Sequence, residues 1–316
     1  MGNPKVTIAI PVYNQPLLLD RCLQSIAKQT FSDFKVIIID DCSTANYSKV
    51  VEKYDCLKIE YRRNNINKGA MFNMKALLEH EYDSEFFTVF HEDDLMHPNL
   101  LEHQIKLFNS DASLAFVGTT MEYFVQDQYE FYALCHTNSP ATVMFQDKAE
   151  FLKAVFAKKE ICFGSIMYRT SYINSAKFDV DKFGALCDRP FLLNLISNNC
   201  YGGLIDAPLV YYRDHGPYDK RFGKLREEQI IDFFKAYYDV IKSSKVLKES
   251  YHRYSTNELL GFCSGSEKIG RLVVYKIFVL SLWKSYISIK YLNPKGYRVL
   301  NLYKFILSLK QFKNLF

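Results

Sequence analysis

The sequence predicts an α/β fold: an open, mostly parallel sheet with helices on both faces, followed by a C-terminal helical region. Three observations carry this. In the first half, short continuous apolar runs alternate with stretches whose apolar residues recur at helical spacing. Three of those runs end in polar residues, two of them in paired acids. Beyond residue 220, helical periodicity replaces the strand pattern. The length, 316 residues, suits one or two domains, with the boundary placed between 1–220 and 221–316.

The elements follow in order. Residues 5–11 (KVTIAIP) are the continuous apolar run of a strand buried on both faces. Residues 17–29 have helical spacing, with Pro16 in the first turn. Residues 34–40 (FKVIIID) form a second buried strand and 57–61 a short third. A helix is expected over 70–80, a strand over 85–90 (EFFTVF), a helix over 98–109 and a strand over 114–119. Farther on, 123–135 suggests a hairpin, 146–158 a helix, 164–169 a strand and 189–197 a helix. Residues 201–213 suggest a strand pair broken at Pro208, and 214–223 a loop able to close over a bound anion. Helices are expected over 225–242, 247–263, 267–291 and 298–313.

Composition excludes several classes. With 48% hydrophobic and 24% charged residues, the chain is neither collagen-like nor disordered nor a small disulfide scaffold. The eight cysteines are scattered without a C-x-x-C pair, which fits free thiols in a reducing cytosol. The apolar segment 6–12 is too short for a signal peptide. The longest apolar run, 272–289, is interrupted by Lys276 and Lys284, whereas a spanning helix needs about 20 nearly uncharged residues. The net charge of +5 is unevenly spread: residues 265–316 hold ten Lys/Arg and a single acid, Glu267, and the preceding body is mildly acidic.

Chemistry concentrates where the strands end. The first strand runs into Pro11-Val-Tyr-Asn14, the second into Asp40-Asp41-Cys-Ser43, the fourth into His91-Glu92-Asp93-Asp94. Parallel strands bring these ends to one edge of the sheet, where ligands of open α/β folds bind. Carboxylates gathered there repel unless a cation sits among them. A hard divalent ion, Mg2+ or Mn2+, takes such oxygens and completes its shell with phosphate and water. The competing reading is that Asp40 and Asp94 cap the helices that follow. No glycine-rich phosphate loop is present.

The stretch VTIAIPVYNQPLLLDRCLQSIAKQTFSDFKVIIIDDCS closely resembles the start of family 2 glycosyltransferases, which have the GT-A fold. FHEDDLMHPNLL resembles their Asp-x-Asp metal motif, FGALCDRPFLLNL the segment holding the catalytic base, and YYRDHG their Tyr-Arg-x-His segment. The motifs stand in family order over residues 4–215. The resemblance implies that Pro11, Tyr13 and Asp41 hold the nucleotide base, and that the nucleotide-binding Glu92 reaches the ribose or the metal's waters. It places Asp93 and Asp94 on the metal, Arg213 and His215 near the diphosphate with His215 also a metal ligand, and Asp188 as general base. The chain departs from the pattern at His91, where many relatives have the first Asp, at Cys187, where an acid precedes the base, at Cys42, where Gly is common, and at Asn73, set closer to Gly69 than the usual Asn.

The family implies inverting transfer of a sugar from a nucleotide-diphosphate donor, a UDP-sugar being favoured. The cofactor would be Mn2+ or Mg2+, and the acceptor a saccharide or lipid-linked glycan of surface polysaccharide synthesis. The product class is that of a hexosyl- or N-acetylhexosaminyltransferase. The alternative is a catalytically inert GT-A scaffold that binds glycan or membrane. In the expected helix 267–291, Lys276, Lys284 and Lys290 share an arc of roughly 120°. Residues 265–316 are therefore expected to dock on an anionic membrane surface, placing the protein in the cytoplasm at the inner face of the cell membrane. A homo-oligomer interface is the competing use of the tail. No nucleic-acid-binding motif appears.

Overall fold

β1 (Val6–Val12) is an interior strand of the sheet, paired parallel with β2 (Phe34–Asp40) on one side and β4 (Phe86–Val89) on the other. β3 (Ile59–Arg63) extends the parallel set beyond β2. The computed structural model describes residues 2–124, 139–159, 161–197, 199–214 and 225–264. The expected loop 214–223 beyond Asp214, most of the hairpin 123–135, the residue His215 and the basic tail 265–316 lie outside them. The described part divides into two units. The first comprises Met1–Phe151, Lys159–Phe178 and Phe191–Asp214; the second comprises Leu152–Lys158, Asp179–Pro190 and the chain from residue 215 onward.

In the first unit the sheet order is β3-β2-β1-β4-β8-β6-β9-β5, with β7 also on β9. β5 is Leu95–Met96, β6 Leu114–Phe124, β7 Thr142–Phe145, β8 Met167–Arg169 and β9 Tyr201–Arg213. β8 runs antiparallel to both neighbours, and β6 and β9 are parallel to each other. The sheet is thus parallel at its site-bearing end and mixed beyond β4.

Side chains alternate across β1. Val6, Ile8, Ile10 and Val12 join the core cluster with Leu19, Cys22, Leu23 and Ile26 of α1 (Pro16–Ile26) and with Leu101, Ile105 and Phe108. Leu77 and Leu78, also buried, come from α3 (Ala70–Leu78), which packs against β1 and β4. Full burial of each large apolar side chain contributes about 1.5–3 kcal/mol. α2 (Ser48–Val51) is a single turn that the sequence pattern did not signal, and α4 (Leu100–Ser110) starts two residues later than expected. α5 (Lys148–Phe156) and α6 (Thr170–Ile173) complete the middle.

Residues 201–213 are one strand, not a broken pair. Along one edge β9 takes β7 at Gly202–Ile205 and then β5 at Val210–Tyr211. Pro208 falls between the two partners, where no ladder N–H is needed, and a register shift against Thr119–Thr120 absorbs the irregularity.

The second unit contains α7 (Val180–Phe183), the start of α8 (Asp188–Leu195), α9 (Glu227–Ile241) and α10 (Lys245–Ser264). Its core is aromatic: Phe156 meets Tyr237, Tyr251 and Tyr254 with ring centroids 5.2–6.2 Å apart. No helix among the described residues is long and apolar enough to cross a membrane.

Candidate active site

The register of β1, β2 and β4 brings their carboxyl ends together. Val12 stands beside Asp40, and Phe90 donates its N–H to Ala9 O at 2.9 Å. β1 sits between β2 and β4, the place in an open α/β sheet where strand order reverses and ligands bind in the crevice outside the carboxyl ends.

At the end of β4, His91, Asp93 and Asp94 each offer a ligand atom, all within 4.8 Å of one another. Asp94 is fully buried. Its Oδ1 accepts the Arg213 N–H at 2.9 Å, so the end of β9 grips it. Its Oδ2 is buried without a hydrogen bond, 3.3 Å from His91 Nδ1. Burial holds the Asp94 carboxyl above its ordinary range; His91 pulls it back and Asp93 pushes it further up. A buried polar atom left unpaired costs about 1–3 kcal/mol, and a cation beside Oδ2 would remove that cost. Gly164 leaves the room: a Cβ there would stand 3.4 Å from Asp94 Oδ2 and 3.6 Å from His91 Nδ1. Two carboxylates and an imidazole suit Mn2+, and the oxygens suit Mg2+. The residues present fit the expected ion.

The segment after β1 is held by side chains from elsewhere. Tyr13 N–H donates to Glu92 Oε1 at 2.8 Å, Asn14 N–H to Ser43 Oγ at 3.0 Å and Gln15 N–H to Tyr47 OH at 2.8 Å. Tyr47 in turn donates to Glu92 Oε2 at 2.9 Å. Asn14 adopts φ +56°, and its Oδ1 accepts the N–H groups of Thr44 and Ala45. The Tyr13 ring is left 46% exposed at the crevice edge. Glu92, expected to reach the ribose or the metal's waters, is buried with both oxygens engaged by protein donors. Burial raises its carboxyl to about 7, against the lowering pull of the Tyr13 and Tyr47 hydrogen bonds.

At the end of β2, buried Asp40 accepts from Ser43 N–H, Tyr61 OH and the Arg63 guanidinium. Asp41 accepts from Asn64 Nδ2 at 3.0 Å and from the Lys68 and Gly69 N–H groups, each at 2.8 Å. Burial alone would raise the Asp41 carboxyl, but the hydrogen bonds from Lys68, Asn73, Asn64 and Gly69 outweigh it and hold it below its ordinary value. Gly69, at φ +86°, lets the chain turn over this carboxylate into α3.

The sequence model of glycosyl transferase family 2 matches residues 7–174, more than half of the chain. The chain belongs to this family. Relatives include the putative colanic acid biosynthesis glycosyl transferase WcaA of Escherichia coli K12, 26% identical over 68% of this chain and 75% of that one. The poly(ribitol-phosphate) beta-N-acetylglucosaminyltransferase TarS of Staphylococcus aureus is 29% identical over 31% of this chain and 18% of its own length. Among solved structures, S. aureus TarS 1–349 in complex with UDP-GlcNAc superposes with a TM-score of 0.58 at 16% identity, covering 97% of this chain and 92% of that one. The mannosyltransferase PcManGT of Pyrobaculum calidifontis, in complex with GDP-Man and Mn2+, gives 0.54 at 17% identity, covering 90% and 82%. At these identities the likenesses show the fold, which is of the GT-A type.

In this glycosyltransferase, Asp188 opens α8 and is half-buried. Cys187 before it is buried, its thiol pushed up by burial and by the Asp188 charge. Arg189 after it donates to Tyr254 OH and lies 4.0 Å from Glu258 Oε2, both on α10. Asp188 falls in the second unit, whereas Pro11, Tyr13, Asp41, Glu92, Asp93, Asp94 and Arg213 all fall in the first. Tyr168 belongs to the core, 1% exposed and packed on Phe87 and Phe191.

Sequence reasoning named His91 as a departure and not as a candidate ligand; its position two residues before Asp93 was the available signal. Tyr47 and Gly164 were missed as parts of the site, whereas Ser43 was noted at the end of the second strand without its partner. Nothing in the local pattern of Tyr47 or Gly164 marks them, because their partners lie far away in the chain.

Proposed function

We propose that the protein is a metal-dependent inverting glycosyltransferase that moves a hexosyl or N-acetylhexosaminyl group from a nucleotide-diphosphate donor, UDP-sugar favoured, to a hydroxyl of a saccharide or lipid-linked glycan. The observation that carries this reading is Asp94 Oδ2, buried without a hydrogen bond and 3.3 Å from His91 Nδ1, with Asp93 alongside, at the carboxyl edge of a family 2 sheet. The donor complexes of the two structural neighbours, with UDP-GlcNAc and with GDP-Man and Mn2+, support it by analogy.

Asp93, Asp94 and His91 are the residues that would hold Mn2+ or Mg2+, which when bound supplies positive charge against the diphosphate. Pro11, Tyr13 and Asp41 border the base. The Arg213 guanidinium has the planar fork that matches phosphate oxygens, and His215 joins it near the diphosphate. Asp188 is the base. As the acceptor oxygen bonds to the anomeric carbon, its proton passes to the Asp188 carboxylate. The bond from that carbon to the diphosphate breaks on the opposite face, and its electron pair leaves with the nucleoside diphosphate. A carboxylate base needs to accept the proton only as the bond forms.

A thermal-shift panel of nucleotide sugars, with and without MnCl2, tests the donor class. A rise with UDP-sugars that needs the metal supports the reading; no shift with any donor counts against it. Asp93→Ala and Asp188→Ala are each expected to lower donor turnover by about 100-fold or more. Undiminished turnover in both sinks the mechanism, whereas turnover that vanishes in both excludes the inert scaffold. The basic segment 265–316 is proposed to dock the enzyme on the inner face of the cell membrane. Pelleting of the full chain with anionic liposomes, lost in a 1–264 truncation, is the expected result; equal pelleting removes the claim.

A further inference from the structure

Three consecutive backbone N–H groups, those of Tyr13, Asn14 and Gln15, are each captured by a side chain from a distant segment: Glu92 after β4, Ser43 after β2 and Tyr47 before α2. Glu92 and Tyr47 are also joined to each other at 2.9 Å. Both are buried, Tyr47 to 1% exposure and Glu92 to 8%. The carboxylate therefore faces protein donors, and its two oxygens already accept one hydrogen bond each. The captured segment carries Asn14 in the left-handed region, φ +56°, a conformation asparagine adopts more readily than other non-glycine residues and that its Oδ1 bonds to Thr44 and Ala45 N–H hold in place. Its product is a Tyr13 ring held out at the crevice edge, 46% exposed, on a backbone that is pinned at every N–H.

We propose that Tyr47 and Glu92 form a strut that positions Tyr13 for the nucleotide, so that both act on donor binding through Tyr13 and neither touches the donor. This inference rests on the functional reading above, in which Tyr13 borders the base. It assigns a purpose to α2: the single turn Ser48–Val51 follows Tyr47 directly, and Val50 and Val51 return their N–H groups to Tyr47 O at 2.9 and 3.0 Å, which fixes the Tyr47 backbone. Pre-organisation of this kind strengthens binding by removing the ordering cost that a mobile platform would incur.

A double-mutant cycle on the full chain separates a strut from a direct contact. The probes are UDP and GDP, each with MnCl2, titrated calorimetrically, with melting temperatures as a check on folding. Tyr47→Phe keeps the ring and deletes the hydroxyl; it is expected to weaken the bound nucleotide about tenfold, while donor turnover at saturation stays within about twofold. Ser43→Ala, which releases Asn14 N–H and removes the Ser43 hydroxyl's hydrogen bond to Tyr47, is expected to weaken it in the same direction. In a Tyr13→Ala background, Tyr47→Phe should add less than about twofold, because the strut then has nothing to position. If the two effects multiply, Tyr47 acts independently of Tyr13 and the inference is overturned while the functional reading stands. If the wild-type protein binds neither nucleotide, the functional reading falls and the inference falls with it.

Discussion

Asp41 illustrates how a strand-end carboxylate can be structural before it is functional. One carboxylate satisfies Asn64, Lys68 N–H and Gly69 N–H, and so closes the turn that leads into α3. Its carboxyl is held below the ordinary value in the folded protein, so it contributes stability above the unfolded pKa of about 3.9 and loses it as pH falls through the folded value. Asp41→Asn removes an acceptor from this set and is expected to cost about 2 kcal/mol at pH 7. Urea titrations should show the difference from wild type shrinking below pH of about 4. A difference that does not change with pH would mean that the charge is not what matters. Gly164 makes the complementary case, a residue that matters by what it lacks. Gly164→Ala sets a methyl group beside Asp94 Oδ2 and His91 Nδ1. Its Mn2+ affinity, read from the electron paramagnetic resonance signal of free Mn2+, is expected to fall about tenfold or more with little change in melting temperature. Unchanged Mn2+ affinity would move the metal away from this cluster.

β9 is the element that ties the mixed end of the sheet to the site. It pairs with β6 along its length, takes β7 and β5 on its other edge, and ends at Arg213, whose N–H grips Asp94. Its start depends on a close approach. A Cβ on Gly202 would lie 2.4 Å from Cζ of the fully buried Phe116 ring on β6. Gly202→Ala is therefore expected to cost about 1–3 kcal/mol through overpacking, seen as a lower urea midpoint; an unchanged midpoint would show that the ring moves aside freely. The break expected at Pro208 did not materialise, because a proline disrupts only a strand whose N–H is needed there. Which N–H is needed depends on β7 and β5, short strands of four and two residues with no periodicity to announce them.

Across the whole molecule, thiol chemistry reports packing. Cys22, Cys162, Cys187 and Cys200 are buried and free, Cys42 is half-buried and Cys56 is exposed. Burial, with the Asp94, Glu92 and Asp93 charges, raises the Cys22 thiol, and burial with Asp94 raises Cys162 to about 12. Among these six described cysteines, maleimide at neutral pH should modify Cys56 first, and the four buried thiols only as urea unfolds the chain, as peptide mapping would show. Early modification of Cys22 would mean that α1 opens on its own. The continuous apolar runs of β1, β2 and β4 made the parallel half of the sheet readable, because a strand buried on both faces has little choice of residue. The acids that end these runs were readable too, since parallel pairing sends them to one edge whatever the rest of the chain does. The sequence by itself thus determined the parallel half of the sheet, its chemical edge and the family. Only the tertiary structure decided what each acid does there. Glu92 meets Tyr13 across 79 positions and Tyr47 across 45, and Asp94 meets Arg213 across 119. Local pattern records burial and periodicity, which a residue carries with it. Hydrogen-bond partners that distant exist only once the chain has closed, and they separate a buried strut from an open ligand.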